Sequence, residues 1–436
     1  MTRLALSEPA DRIDPSQITS ARVAATTLWS ASATLVGLAG RALRVVVVAP
    51  YVSAHDYGLL AATFVILEGV NAFSDLGTQP ALVRHQQRIT HVLDVAFTLQ
   101  AIRGCAVAVL MVAAAPLAGI WFHDSSIVPV VRAMALAPLV GGLANPAMAL
   151  LRRRLEFRTL FGCALAEAAV TLAAGIWLAM SLRNVWALVL AAIIGESVRV
   201  GASYVVARPW PRISLQRQRA GELIRFGRWV FGSRILMFLS LRGDDLFVAV
   251  MLGTTAVGIY SVTFRFAELP VVLVTHVIVG VALPVWSGLA RDPRRLRSVF
   301  LRTCLWAGLV NAAIAGTALV LAPHVLPLPR GMTWDATRPL LVVLMFASFG
   351  RSVIVLAEPY FYSTGRPAAW FWMNLCRVGT TALLIVPLSR MFGIVGVALA
   401  VTAGVVSTIP LALRGMRDRE PAGPVVPVAA ESDVGA

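Results

Sequence analysis

Apolar stretches, each long enough to cross a bilayer, follow one another along almost the whole chain. A transmembrane helix needs roughly 20 mostly apolar residues. Such runs fall near 22–49, 57–82, 93–120, 127–151, 159–181 and 184–206, then near 224–252, 257–286, 299–323, 337–361, 367–388 and 393–413. The expected fold is therefore all-α and polytopic, with about 12 spans in 436 residues. Composition agrees, because 58% of residues are hydrophobic and only 14% are charged. Soluble domains carry about 25% charged residues.

The net charge of +16 would suggest a nucleic-acid partner in a soluble protein, but here its placement supplies another cause. Every basic residue other than histidine is arginine. With no lysine, a P-loop has nothing to reach the β/γ-phosphates, which removes that class of ATPase. Loops rich in arginine stay on the cytoplasmic side. With the N-terminus inside, the cytoplasmic segments hold about two dozen arginines, in the N-tail, Arg84 to Arg88, Arg152 to Arg158, Arg208 to Arg228, Arg291 to Arg302, Arg366 and the C-tail. The opposite loops hold four: Arg183, Arg330, Arg338 and Arg390. Both termini are expected in the cytoplasm, with the basic loops facing anionic lipid, so no nucleic acid is needed. Trp121, Trp186, Trp229, Trp286, Trp334 and Trp370 fall near span ends, as an interfacial belt would.

These boundaries divide the chain into a cytoplasmic N-tail (1–21), a first lobe of spans 1–6 (22–207) and a cytoplasmic connector (208–221). A second lobe of spans 7–12 (222–415) and a disordered C-tail (416–436) follow. Sliding the chain against itself by about 200 residues aligns Trp29 with Trp229, Val48 with Val248, Ala49 with Ala249 and Gly58 with Gly258. The same shift aligns Thr63 with Thr263, Phe64 with Phe264 and Glu68 with Glu268. Halves with an even number of spans are parallel repeats, related by an axis along the membrane normal.

An ionisable side chain at a helix centre costs roughly 2.5–3.5 kcal/mol on insertion scales, so such residues face a protein interior or a watery cavity. Here they concentrate in spans 1, 2, 7 and 8, equivalent positions in the two halves. Arg41, Arg44, Arg234, Arg242 and Arg265 are the candidate substrate contacts, because a guanidinium stays charged and holds phosphate oxygens bidentately. Glu68, Asp75, Asp244, Asp245 and Glu268 are candidates for organising those arginines or binding a coupling ion. The competing expectation is local neutralisation, Arg265 by Glu268 one turn on and Arg242 by Asp244 or Asp245. Further intramembrane charges are Glu167, Glu196, Arg199, Arg351, Glu358 and Arg377. Cys105, Cys163, Cys304 and Cys376 each stand alone in an apolar stretch and read as packing residues; no metal or cofactor motif is present.

Several segments carry a family resemblance. They include Phe226-Gly-Arg-Trp229, Leu241-Arg-Gly-Asp-Asp-Leu246, Leu252-Gly-Thr-Thr-Ala-Val-Gly-Ile-Tyr-Ser261, Phe264-Arg-Phe-Ala-Glu-Leu-Pro270, Leu283-Pro284 and Arg291-Asp-Pro-Arg-Arg-Leu-Arg297. In the first half, Asp56-Tyr-Gly-Leu-Leu60, Ser74-Asp-Leu-Gly77 and Ala81-Leu-Val-Arg84 join them. In order and spacing these resemble the Wzx-like lipid-linked oligosaccharide flippases of the multidrug/oligosaccharidyl-lipid/polysaccharide (MOP) superfamily. The resemblance implies two six-helix lobes around a central cationic cavity in the bacterial inner membrane. It implies alternating-access transfer of an undecaprenyl-diphosphate-linked oligosaccharide to the outer leaflet for cell-surface polysaccharide synthesis. The expected partners are that lipid-linked glycan, membrane lipids, and a polymerase and glycosyltransferases of the same pathway.

Two rivals are weighed. A drug or small-solute antiporter of the same superfamily would favour acids in its cavity, against the arginine surplus seen here. A membrane glycosyltransferase or polymerase needs a positioned acid or base and a sizeable outer loop. The longest expected outer loop, around His324 to Ala336, is too short for a domain.

Overall fold

A backbone inside hydrocarbon finds no water, so each segment that enters the bilayer must close its own hydrogen bonds, and a helix does so within one run of chain. The computed structural model describes residues 43–74, 89–153, 156–208, 210–214, 238–289, 292–325, 328–364 and 366–417, with single positions at 29, 32, 36, 37 and 40. Among the described residues regular structure is helical, apart from one isolated bridge between Ser53 and Arg330. The first half holds α1 (43–48), a 3-10 turn (Ala49–Tyr51), α2 (Ala54–Ser74), α3 (Ile89–Trp121), α4 (Ile127–Met134), α5 (Leu136–Gly141), α6 (Met148–Arg153), α7 (Phe157–Leu182) and α8 (Val185–Val206). The second holds α9 (238–252), α10 (Thr254–Leu289), α11 (Pro293–Val325), α12 (Trp334–Ser363) and α13 (Pro367–Arg417).

Six helices among the described residues are long and apolar enough to cross a membrane, within α3, α7, α8, α11, α12 and α13. The protein is a polytopic membrane protein, and its exterior is apolar in keeping: Trp177, Phe346, Leu383 and Met391 all stand exposed. In water such a surface would aggregate; in lipid it is the contact surface.

Two sequence expectations need correction. The run 127–151 is not one span, because α4, α5 and α6 divide it. Gly141, Gly142 and Pro146 weaken the helix there, and side chains from other helices take over its backbone groups. Gln100 Nε2 donates to the carbonyls of Gly141 and Ala144, both at 3.2 Å, while the Asn145 amide donates to Ser203 Oγ at 2.9 Å. The runs 367–388 and 393–413 are, as expected, two helical arms, which meet within α13 at a break at Gly393 (φ 58°, ψ −133°). Its two arms pack together so closely that a Cβ on Gly404 would lie 2.1 Å from Thr381 Oγ1. Trp286 is no belt residue: it is 2% exposed and packs edge-on against Phe300 at 5.5 Å, because α10 turns that face into the core.

The approach of α2 to α10 positions everything that follows. A reciprocal cap starts α2, with Asp56 N donating to Ser53 Oγ at 3.1 Å and Ser53 N to Asp56 Oδ2 at 3.3 Å. Four residues after the start of each helix, Gly58 meets Gly258. A Cβ on Gly58 would fall 1.8 Å from the Thr254 carbonyl oxygen, and one on Gly258 would fall 1.9 Å from that of Ala54. Glycine alone permits this approach.

Candidate functional site

The charged residues of the α2/α10 region meet across the two halves of the chain. Arg242, on α9, donates from Nε to Glu68 Oε2 at 2.6 Å and from Nη2 to Glu68 Oε1 at 2.8 Å. Its remaining terminal nitrogen donates to Asp245 Oδ2 at 3.0 Å. A fork-to-fork pair, 174 residues apart in sequence, thus joins α2 to α9. Asp244 accepts from the Tyr260 hydroxyl at 2.7 Å, so the two neighbouring aspartates serve different partners. Glu268 accepts from Arg351 Nη2 at 2.7 Å, and that guanidinium also lies over the Phe264 ring at 5.1 Å.

Local neutralisation is therefore only partly right. Asp245 does pair with Arg242, but Asp244 does not, and Glu268 turns to Arg351 rather than to Arg265. Arg265 makes no hydrogen bond or ion pair with any described residue; it is half-buried and borders a crevice with Arg44, Tyr57 and Ser261. The crevice holds about 20 Å³, room for one water molecule. Arg44, Phe64 and Ala192 lie on both this crevice and a cavity of about 600 Å³ among the helices of the first half. Arg41, Arg234 and Asp75 lie outside the described residues.

The sequence repeat has a structural counterpart in paired environments. Val48, Ala49, Val248 and Ala249 are all fully buried, and so are Thr63 and Thr263. Each threonine hydroxyl donates at 2.7 Å to the carbonyl four residues back, on Leu59 and Ile259 respectively. Glu68 and Glu268 each hold an arginine from another helix.

At the end of the bundle carrying residues 49–53, a second set of contacts joins the halves. Arg330 N donates to the Val52 carbonyl and Ala54 N to the Arg330 carbonyl, both at 3.1 Å. The Thr254 hydroxyl donates to Asp124 Oδ2 at 2.8 Å, and His55 Nε2 lies 3.5 Å from the same oxygen. Partial burial pushes the Asp124 carboxyl up, but hydrogen bonds from the Ser126 hydroxyl, Thr254 and the Ser126 amide, with His55 nearby, hold it below the usual carboxylate range. Sequence reasoning missed this cluster, because nothing in an isolated Asp124 marks it as a neighbour of residue 254. It also passed over Arg103, which donates to Asn71 Oδ1 at 2.8 Å. Its position inside the run 93–120 was the available signal.

A family model described as polysaccharide biosynthesis protein matches residues 47–339, more than half of the chain. The chain belongs to this family. Among the chain's relatives is the lipopolysaccharide biosynthesis protein WzxC of Escherichia coli (strain K12), 24% identical over 380 residues, which cover 85% of this chain and 76% of that one. Another is the succinoglycan biosynthesis transport protein ExoT of Rhizobium meliloti (strain 1021), 25% identical over 338 residues, covering 77% and 68%. Two solved structures show the fold. A lipid II flippase, MurJ, in an inward closed conformation superposes with a TM-score of 0.71 at 12% identity, covering 91% of this chain and 88% of that one. An inward-facing multidrug resistance MATE family transporter of the MOP superfamily gives 0.65 at 15% identity, covering 89% and 93%. The family member is thus a Wzx-like, multi-pass transporter of the bacterial inner membrane. Among the described residues no group of three or more His, Cys, Asp or Glu could hold a metal ion.

Proposed function

We propose that this transporter carries an undecaprenyl-diphosphate-linked oligosaccharide from the cytoplasmic to the outer leaflet by alternating access. Two six-helix lobes with cytoplasmic termini would rock about the α2/α10 crossing. The observation that carries this reading is the bidentate pair between Arg242 and Glu68 beside Arg265. A carboxylate and a phosphate present the same pair of oxygens to a guanidinium fork, so Glu68 occupies Arg242 as a pyrophosphate oxygen pair would. An arriving pyrophosphate displaces Glu68 and gains Arg242, Arg265 and Arg44 together. The lobes, no longer tied by that pair, are then free to exchange partners.

The physical task is to bring a polyanionic head through hydrocarbon, where an unpaired charge is costly. Arginines suit it because they remain charged when partly desolvated. The lipid tail never leaves the bilayer, so the protein compensates only for the head and sugars. On this reading the end at Gly58, Gly258 and Arg330 is periplasmic, and these contacts close it while the substrate loads from the cytoplasm. A polymerase and glycosyltransferases are the expected neighbours in the pathway.

The test is a leaflet-resolved measurement of lipid-linked glycan in cells depleted of this protein and then complemented. Accumulation of the complete repeat on the cytoplasmic face, reversed by the wild-type chain, is the expected result. An unchanged leaflet distribution with normal surface polymer would overturn it and favour a small-solute carrier.

A further inference from the structure

The 600 Å³ cavity is built differently from the cationic seam. It lies within the first half of the chain, among α1 to α5, α7 and α8, and falls in the size range of small-molecule sites, ~300–1,000 Å³. Its wall includes Arg103, Glu167, Thr171, Glu196 and Arg199, at the depth of membrane-crossing helices. Arg199 and Glu196 form a hydrogen-bonded ion pair one turn apart. The interrupted helix also reaches it, since Gly141 and Gly142 are lining residues whose carbonyls are bonded by Gln100. Irregular backbone at such depth is tolerated where it is buried in protein or lines a water-filled cavity, and interrupted helices point to transporter binding sites.

The lining also discriminates among occupants. Arg44, Arg103 and Arg199 outnumber Glu167 and Glu196, so the chamber disfavours a bare cation. Donors and acceptors alternate around it: guanidiniums, carboxylates, the Asn71 and Gln100 amides and the Thr171 hydroxyl. Such a surface matches a ligand that both donates and accepts at many points, as vicinal hydroxyls do. Phe64, shared with the crevice beside Arg265, offers an apolar face at the junction. We infer that this chamber is a glycan subsite, which holds the first sugars of the lipid-linked oligosaccharide while its pyrophosphate lies at the arginine seam. The inference rests on the proposed function and adds to it the place where sugar identity is read.

The test uses the purified full-length chain in lipid nanodiscs. Two probes are titrated, undecaprenyl diphosphate without sugar and the undecaprenyl-diphosphate-linked oligosaccharide extracted from depleted cells. Wild type should bind the sugar-bearing lipid at least tenfold more tightly. Two variants attack the chamber independently. Glu196→Gln removes a charge that pairs with Arg199, and Gly37→Leu fills space where no atom lies within 4 Å of the added Cβ. Each should erase that tenfold advantage while leaving affinity for the bare lipid within twofold, which also reports that the chain remains folded. Equal wild-type affinity for both lipids would overturn the subsite and leave the flippase reading standing. Equal loss for both lipids in the variants would also overturn it, and no wild-type binding to either would overturn the flippase reading itself.

Discussion

The two places where the halves of this protein meet are held by opposite kinds of contact. At Gly58 and Gly258 backbone lies against backbone, with no side chain to yield. Farther along α2, Glu68 meets Arg242 and Asp245 of α9 through side chains that another anion or cation can replace. The first contact is geometric, satisfied or broken as a whole; the second is chemical and exchangeable. On the proposed function, substrate competes for the second while the first serves as the pivot and seal.

The largest effect should come from adding atoms at the pivot. Gly58→Val or Gly258→Val places carbon within 2 Å of a backbone oxygen, 1.8 and 1.9 Å respectively, which no rotamer relieves. Overpacking costs ~1–3 kcal/mol or more, so glycan export in complemented cells should fall ~100-fold, the upper part of that range. Gly243→Ala, where nothing lies within 4 Å, should leave export unchanged. Near-normal export in both valine variants would remove the pivot from the comparison.

At the seam, Arg242→Ala strands Glu68 and Asp245 without their shared donor. Hydrogen bonds to charged groups are worth about 1.5–3 kcal/mol, and a loss of that size should appear in denaturant unfolding of the purified protein. The exchange Arg242→Glu with Glu68→Arg should recover part of it. A double variant no better than the sum of its singles would mean that the pair contributes no coupling.

A gentler change sharpens the distinction. Glu68→Gln keeps shape but removes the charge that competes for Arg242. Affinity for undecaprenyl diphosphate should rise about fivefold, equivalent to ~1 kcal/mol. Weaker binding would make Glu68 part of the ligand shell instead of a stand-in for it.

The smallest effect belongs to Asp124 and His55 at the closed end. Because Asp124 is held below the usual carboxylate value, its contribution is fully present above about pH 3.9 and is lost only as pH falls through its own lower value. Cross-linking between cysteines placed at Ser125 and Thr255 should therefore stay constant from neutral pH down to about pH 4. Asp124→Asn should reduce it by a few-fold at all those values, ~1 kcal/mol for a partly exposed contact. A cross-linking yield that Asp124→Asn leaves unchanged would show that this contact does not hold the end closed.

Much of this was legible before any coordinates. Runs such as 159–181 and 184–206 became α7 and α8 within a few residues, because a bilayer admits few alternatives to a helix. Intramembrane charge marked Glu68, Arg242, Asp245 and Glu268, since such residues are too costly to face lipid. Their partners were not legible. Arg265 and Glu268 stand one turn apart, yet Glu268 takes Arg351, 83 residues away, because the packing of α12 on α10 brings that guanidinium nearer. The chamber in the first half escaped for the same reason, as its lining is drawn from seven separate helices.

The sequence by itself determined that this chain lives in a membrane, that it is helical, and that it carries charged side chains within its apolar runs. Hydrophobic length and the cost of a buried charge are local quantities, written residue by residue. Only the tertiary structure decided that Gly58 lies on Gly258, that Glu68 crosses the chain to Arg242, and that Arg265 is left bordering a crevice. Those outcomes depend on which helices touch and at what depth, a property of the whole packed bundle that no single segment carries.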